Sequence, residues 1–391
     1  MDAERLQRTR TAMGKAGLDT LVLKLSENVV MLSGYWPMNG FSYLIFPLDK
    51  DPILIAPVPE EYLANEGWVK DIRAFKWGLV DSGNPFESIA RLLKQASLEL
   101  KLTNKSVGYE ASFEFIATPY VAAEPAVYSE FSRSMLQDAF GRNLVDATGL
   151  IHKLRLYKTP QEVERLQTVN DIALMGLQAF FENVVPGRSE IEVASAVEAR
   201  IMQNGTGYKN VKVARAWASV MSGARAVSAY KPHLLSTQRR LEEGDVALLE
   251  LATVADGWWS DLTRTRAAGR ARPADLDKWQ VVVAAQKAAI ETLRPGVLSS
   301  EVDRAARDLI NKNGLGAYFI HHTGHGLGLR YHEPEPFLHP EVNTPLEKDM
   351  LTTVEPGIYI DGWGGMRCED NVLVTADGYK VLSEFSRQLE G

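Results

Sequence analysis

Residues 352–374 read TTVEPGIYIDGWGGMRCEDNVLV, and this stretch has the pattern of a β-hairpin. A turn centred near Gly362 places Glu355 and Glu369 opposite each other on one face of two apolar strands, with Arg367 on the same face. A carboxylate buried among apolar residues is costly unless it is paired or bound to a cation. Two interpretations are open at this point: a metal ion between the glutamates, or a pair of glutamates bridged by Arg367.

A second hairpin is predicted upstream, in LLELATVADGWWSDLTRT at residues 248–265. Asp256-Gly257 is a strong signal for a two-residue turn. With the turn there, Glu250 and Asp261 share one face as diagonal neighbours, about 7–8 Å apart at the backbone. Both carboxylates could then reach one metal cluster. The alternative is an exposed strand face on which Asp261 pairs with an arginine of its own strand.

Histidines are concentrated in HHTGHGLGLRYHEPEP at residues 321–336. Glycines flank His325 and allow its backbone to approach other chain segments closely. One imidazole could complete an oxygen-rich metal site while the others handle protons. His233 stands apart in the segment YKPH and, taken alone, has the pattern of an exposed loop residue. The segment holds four of the seven histidines of the chain, namely His321, His322, His325 and His332.

Composition and charge narrow the class of protein. The 391 residues carry 50 acidic and 43 basic side chains, for a net charge of −7. This balance argues against a nucleic-acid partner or an anionic membrane, which require a concentrated basic surface. Cys368 is the single cysteine and is interpreted as a packing residue that faces away from the two glutamates. The start has no apolar signal-peptide core and no run is long enough to span a membrane, so we expect a cytoplasmic protein.

The order of apolar runs predicts two domains. Residues 1–155 alternate strand-like and helical segments, as in a sheet covered by helices. Residues 156–391 indicate an α+β domain with long hairpins. Thr159, Pro160 and Glu162 have the pattern of a capping box at the start of a helix that runs from about 160 to 184.

Taken together, these motifs resemble the pita-bread metallopeptidases, the family of creatinase, aminopeptidase P and prolidase. The resemblance covers nearly the whole chain: ENVVMLSGY, KLRLYKTPQEVERLQ, DGWWSDLTRT, HHTGHGLGL, TVEPGIYI and RCEDNVLVT occur in the order and at the spacing of that family. It implies a creatinase-like N-terminal α/β domain over residues 1–155 and a pita-bread metallohydrolase domain over residues 156–391.

The resemblance implies two divalent metal ions, manganese, cobalt, iron or zinc. Four of the five family ligands match here, at Asp261, His325, Glu355 and Glu369. The fifth, normally an aspartate eleven residues before the second, falls on Glu250, where the chain reads GluLeuAla. Glutamate keeps the charge but adds a methylene, so one of the two metal positions is in doubt.

The catalytic residues implied by the resemblance are His332, Glu355 and His233. A metal-activated water attacks an amide carbonyl, Glu355 takes and returns the proton, and His332 stabilises the oxyanion. The substrate contacts implied are His321, His233 and His332, with Arg367 beside the last glutamate.

The most specific function implied is that of an Xaa-Pro peptidase of aminopeptidase P or prolidase type, acting on a small peptide. Residues 333–350 lack the arginine that several prolidases use to bind the carboxylate of a dipeptide, unless His339 or Arg330 replaces it. This absence favours aminopeptidase P-like cleavage, or hydrolysis of a non-peptide amide, over strict dipeptidase activity. A homodimer is expected from the resemblance alone.

Two other classes compete. One is a creatinase-like, metal-independent hydrolase of a non-peptide small amide, which predicts erosion of several ligands. The other is an inactive pita-bread binding module, which usually loses most ligands and gains charged tails. Neither pattern is seen in this sequence, since four of the five ligands match.

Overall fold

The computed structural model describes residues 1–38, 41–78, 80–112, 129–231 and 235–390. The described residues form two compact units, the first up to Arg155 and the second from Leu156 onward. No helix within the described ranges combines the length and the hydropathy that a bilayer crossing requires.

The first unit is a six-stranded sheet with helices. Its strands stand in the order β4-β3-β2-β1-β5-β6, and parallel and antiparallel pairs are mixed. Apolar side chains of the sheet pack with those of the fourth and fifth helices in one core. The strands are β1 (Thr20–Leu23), β2 (Tyr43–Pro47), β3 (Ile53–Pro57), β4 (Asp71–Phe75), β5 (Val107–Tyr109) and β6 (Leu144–Asp146). The helices are α1 (Ala3–Lys15), α2 (Ser26–Ser33), α3 (Glu61–Ala64), α4 (Pro85–Glu99), α5 (Glu130–Phe140) and α6 (Thr148–Leu156).

The second unit contains four long helices and three sheets. The helices are α7 (Pro160–Asn183), α8 (Glu190–Gly205), α9 (Pro273–Thr292) and α10 (Ser299–Lys312). The strands are β7 (Ala214–Ser222), β8 (Val246–Ala255), β9 (Trp258–Ala267), β10 (Gly324–Gly326), β11 (Glu333–Leu338), β12 (Leu351–Val354), β13 (Gly357–Ile360), β14 (Gly364–Arg367), β15 (Asp370–Val374) and β16 (Tyr379–Val381). Single 3₁₀ turns lie at Val58–Glu60, Tyr208–Asn210, Gly223–Ser228 and Gly316–Tyr318.

The sheets of the second unit are antiparallel throughout. They have the strand orders β7-β8-β9, β11-β10-β12-β15-β16 and β13-β14. Helices α9 and α10 contribute Trp279, Val282 and Val302 to an apolar core that also contains Met366 and Cys368. Cys368 is therefore a buried packing residue, as predicted.

The predicted capping box at the start of α7 is confirmed. The Thr159 side chain accepts a hydrogen bond from the backbone N–H of Glu162, and the Glu162 carboxylate accepts one from the backbone N–H of Thr159. These two bonds satisfy backbone donors that a helix N-terminus leaves without partners. Helix α7 then runs to Asn183, close to the predicted end.

Candidate metal centre

The hairpin of β8 and β9 brings Glu250 and Asp261 to one place. Its turn residues have positive φ, 47° at Asp256 and 88° at Gly257, as a type I′ turn requires. The register is the predicted one, with Glu250 opposite Thr263. Asp261 is only 2% exposed. The alternative of an exposed strand face is therefore wrong, because Asp261 lies inside the second unit.

The hairpin near the C-terminus brings Glu355 and Glu369 together. Strand β12 pairs with β15, and β13 pairs with β14, in the same register. This register places the two glutamates opposite each other, as predicted. The loop of residues 361–363 is centred at Gly362, where φ is 74°. Both glutamates are buried, although they lie at the gap between the two ladders.

His325 reaches the centre from the short strand β10. A Cβ atom added at Gly324 would lie 2.0 Å from the carbonyl oxygen of Thr353, so only glycine permits this approach of β10 to β12. The Nδ1 atom of His325 is 2.9 Å from the carbonyl oxygen of Gly326 and donates to it. Its Nε2 lone pair is consequently directed toward the carboxylates, which is the arrangement of a histidine metal ligand.

These side chains converge on one point. The Nε2 atom of His325 is 3.3 Å from an Asp261 oxygen and 3.5 Å from a Glu355 oxygen. Potential ligand atoms lie within 4.8 Å of one another in three overlapping groups. The groups are Asp261, His325 and His332; His325, Glu355 and Glu369; and Glu250, Asp261 and Glu369.

The electrostatics of the centre favour a bound cation. Burial, followed by the charge of Glu369, raises the pKa of Asp261 to about 7. Burial and the other carboxylates raise the pKa of Glu355 in the same way, and burial raises the pKa of Glu369. Burial works against a charged His325, but its hydrogen bond to Asp261 and the negative charge there raise its pKa overall. A divalent ion would relieve this repulsion among buried anions.

One buried oxygen of Glu369 is available to a ligand. Glu369 Oε2 accepts a hydrogen bond of 2.8 Å from Thr263, whereas Oε1 has no hydrogen-bond partner among the described residues. A buried carboxylate oxygen without a donor is rare in folded proteins and calls for a ligand. Arg367 donates to Thr263 at 2.9 Å and has Nε 3.8 Å from Glu355. Thr263 thus links Arg367 to Glu369. This link stands in place of the bridge by Arg367 between Glu355 and Glu369 that was considered from the sequence.

Glu250 has a different environment from the other carboxylates. One of its oxygens accepts a 2.7 Å hydrogen bond from the hydroxyl of Tyr331, which is equally close to Asp261. Its other oxygen forms an ion pair with Arg367 and lies 3.2 Å from the Thr263 hydroxyl. Both oxygens of Glu250 therefore have protein partners.

The remaining histidines of the segment surround the centre as neutral rings. Burial, together with the neighbouring imidazoles, lowers the pKa of His322 and of His332 to about 2. Burial also lowers the pKa of His321 to about 4. The ring of His332 is 4.4 Å from that of His325, and its Nδ1 is buried without a partner among the described residues. His321 Nε2 is 3.0 Å from the hydroxyl of Tyr359.

Three polar residues of the centre were not identified from the sequence. Tyr331, Thr263 and Tyr359 contact the carboxylates, Arg367 or His321. The one available signal was positional, since Thr263 lies opposite Glu250 in the predicted register. His233 falls outside the described residues, so its predicted contact with substrate stays a prediction.

Comparison with known proteins connects this geometry to a family. Residues 164–376 match Metallopeptidase family M24, and residues 5–157 match the Creatinase/Prolidase N-terminal domain. The chain is 30% identical over 386 residues to the Xaa-Pro dipeptidase of Pyrococcus furiosus, covering 99% of both chains. It is 31% identical to the Xaa-Pro dipeptidase of Lactobacillus helveticus, over 90% of this chain and 88% of that one.

A solved structure shows the same architecture. The Xaa-Pro dipeptidase from Bacillus anthracis superimposes with a TM-score of 0.79 at 27% identity, and the match covers 99% of each chain. The predicted pita-bread domain and creatinase-like N-terminal domain are confirmed. This chain belongs to metallopeptidase family M24.

Proposed function

We propose that this metallopeptidase cleaves Xaa-Pro peptide bonds with a divalent ion held by Asp261, His325, Glu355 and Glu369. The observation that carries this proposal is the buried Glu369 oxygen that has no partner and lies where these side chains converge. Three carboxylates and one imidazole suit manganese, iron or cobalt, and they are also acceptable to zinc. Assignment of these four residues as ligands rests on their convergence and on the resemblance of their motifs.

The protein side chains supply the proton transfers of hydrolysis. A divalent ion at this position contributes Lewis-acid polarisation of a carbonyl and eases the ionisation of water. Glu355 would accept the proton of the attacking water and return it to the leaving nitrogen, because its carboxylate lies at the point where the proposed ligands converge. His332 is neutral and so retains one N–H, which would donate to the developing oxyanion.

The proposed substrate is an Xaa-Pro dipeptide. Two relatives bear the name Xaa-Pro dipeptidase, the one from Pyrococcus furiosus matched over 99% of its length and the one from Lactobacillus helveticus over 88%. The absence of an arginine from residues 333–350 points instead to longer peptides, as in aminopeptidase P. His321, His332 and Arg367 remain the predicted substrate-contacting side chains, together with His233.

The test compares an Xaa-Pro dipeptide with an Xaa-Pro-Xaa tripeptide. Protein stripped of metal would be reloaded with manganese, cobalt or zinc before each assay. We expect dipeptide cleavage that depends on the added metal. Cleavage of the tripeptide alone would replace the dipeptide with an aminopeptidase P-type substrate, and cleavage of neither by metal-loaded protein would contradict Xaa-Pro peptidase activity.

A second candidate function is hydrolysis of a non-peptide small amide, as in the creatinase-like alternative. Tyr331 and Arg367 engage the two oxygens of Glu250. This arrangement departs from the expected pattern of five metal ligands and therefore favours the second candidate function. A screen of small cyclic and linear amides with and without metal would decide between the two. We also propose a cytoplasmic location and a homodimer, in line with the single cysteine and the resemblance.

A further inference from the structure

Glu250 and Glu369 differ in how their oxygens are satisfied. Glu369 keeps one buried oxygen without a donor among the described residues. Glu250 shares the Tyr331 hydroxyl with Asp261 on one oxygen and is paired with Arg367 on the other. A ligand atom must offer a lone pair toward the ion, and a carboxylate oxygen already paired with a guanidinium is less available for this purpose.

The charges around Glu250 also distinguish it from Glu369. Arg367 is 4% exposed, and its guanidinium is in direct contact with Glu250. A buried guanidinium requires a neighbouring carboxylate, because an uncompensated buried charge is strongly destabilising. Glu250 therefore has a function in the protein alone, whereas the repulsion among Asp261, Glu355 and Glu369 is relieved by an added cation.

We propose that Glu250 is a positioning residue held by Tyr331 and Arg367, not a metal ligand, and that the centre holds one ion per chain. This inference rests on the proposed function, since it divides the carboxylates of the same centre. The phenol of Tyr331 bridges Glu250 to the ligand Asp261 at 2.7 Å on each side. Tyr331 and Glu250 thus fix the orientation of the Asp261 carboxylate, as residues behind a metal ligand commonly do.

The experiment counts manganese ions on the full-length protein. Metal-stripped wild type and Glu250→Gln would be titrated with Mn²⁺ by equilibrium dialysis, and electron paramagnetic resonance would separate an isolated ion from a coupled pair. We expect one isolated ion in both proteins, with an affinity for Mn²⁺ that falls by about ten- to a hundredfold in the variant, as for other residues that position a ligand. Asp261→Asn removes a direct ligand and should lower the affinity by more than this range of about a hundredfold.

The outcomes separate this inference from the proposed function. Two coupled ions in wild type, or loss of the single ion in Glu250→Gln, would overturn the inference and leave a metal-dependent enzyme intact. No bound ion in wild type would overturn both. If Glu250→Gln fails to fold, the wild-type count and its resonance spectrum still decide the question.

Tyr331→Phe gives an independent check on the phenol. We expect Mn²⁺ to produce no tyrosinate absorption in wild type, because Tyr331 keeps its one hydroxyl hydrogen and donates it to Glu250 or Asp261. A tyrosinate band that disappears in Tyr331→Phe would make Tyr331 a ligand and overturn the assignment. Tyr359→Phe is the matched control, since it also removes a phenol near the centre, but one whose hydroxyl contacts Arg367 and His321.

Discussion

Glu369 and Asp370 are adjacent in the chain, and their side chains have opposite environments. Asp370 accepts four hydrogen bonds, two on each oxygen, from Arg264 at 2.7 Å, Ser383 at 2.9 Å, Gln286 at 2.9 Å and Arg387 at 2.6 Å. Glu369 has one oxygen without any donor among the described residues. Successive residues of an extended strand point to opposite faces, so one step along the chain separates the two environments.

The difference shows how a structural acid can be told from a functional one. Arg264 and Asp370 are both fully buried, and fixed donors within the protein satisfy the carboxylate. The carboxylates of Asp261, Glu355 and Glu369 repel one another and lack a comparable set of donors. We infer that the first network stabilises the fold, whereas the second centre is completed by a ligand.

The largest expected effect is the loss of activity in Glu369→Gln. The substitution removes a ligand charge, and a catalytic metal contributes several kcal/mol of transition-state stabilisation, so we expect at least about a thousandfold loss of kcat/KM. The metal-free variant should be no less stable than metal-free wild type, because repulsion is relieved. Asp370→Asn is the control and should keep its manganese while its melting temperature falls. Activity within tenfold of wild type in Glu369→Gln would contradict the assignment.

The Asp370 network should dominate stability instead. Arg264→Met removes the fully buried one of the two arginines that pair with Asp370, and we expect the free energy of unfolding to fall by about 3–5 kcal/mol. Urea denaturation of metal-free protein measures this change. The double variant Arg264→Met/Asp370→Leu should recover part of the loss, since no buried charge is left unpaired. If the single variant is as stable as wild type, Asp370 has no structural function of this kind.

A smaller effect is expected for His332→Gln. The imidazole contributes a hydrogen-bond donor to the reaction and is not among the four proposed ligands, so kcat should fall about a hundredfold while the manganese content is unchanged. Steady-state kinetics together with metal analysis would separate the two effects. Loss of the metal in this variant would place His332 among the ligands.

The stability of the metal-free protein should also depend on pH. The folded-state pKa of Asp261 is raised to about 7 from an unfolded value of 3.8, so the folded state binds the proton more tightly. Its contribution to stability is fully present below pH 3.8 and is lost as pH rises toward 7. For one titrating group, the free energy of unfolding cannot change by more than about 1.4 kcal/mol per pH unit.

Denaturation of metal-free wild type and Asp261→Asn across this range would test the pH dependence. The asparagine variant should show a weaker decline in the free energy of unfolding. Equal slopes in the two proteins would show that Asp261 is not the titrating group.

The hairpins could be predicted from the sequence because their signals are local. The Asp256-Gly257 turn and the period of two along each strand set the register, and the register places Glu250 beside Asp261 and Glu355 opposite Glu369. The capping box of α7 is equally local, since it involves residues three positions apart.

The environment of Glu250 could not be predicted in this way. Tyr331 is 81 residues from Glu250 in the chain, and it lies in the segment between β10 and β11. Arg367 was placed on the face of Glu355 and Glu369, but its ion pair is with Glu250 of another sheet. Contacts between sheets depend on tertiary packing, about which strand periodicity carries no information.

We propose that a divalent ion occupies the point where Glu369 and His325 converge. The most direct measurement is anomalous scattering from a crystal of the protein soaked with Mn²⁺. We expect one peak at about 2.0–2.3 Å from oxygens of Asp261, Glu355 and Glu369 and from His325 Nε2. A crystal with no peak at these residues, or with its ion bound elsewhere, would contradict the claim.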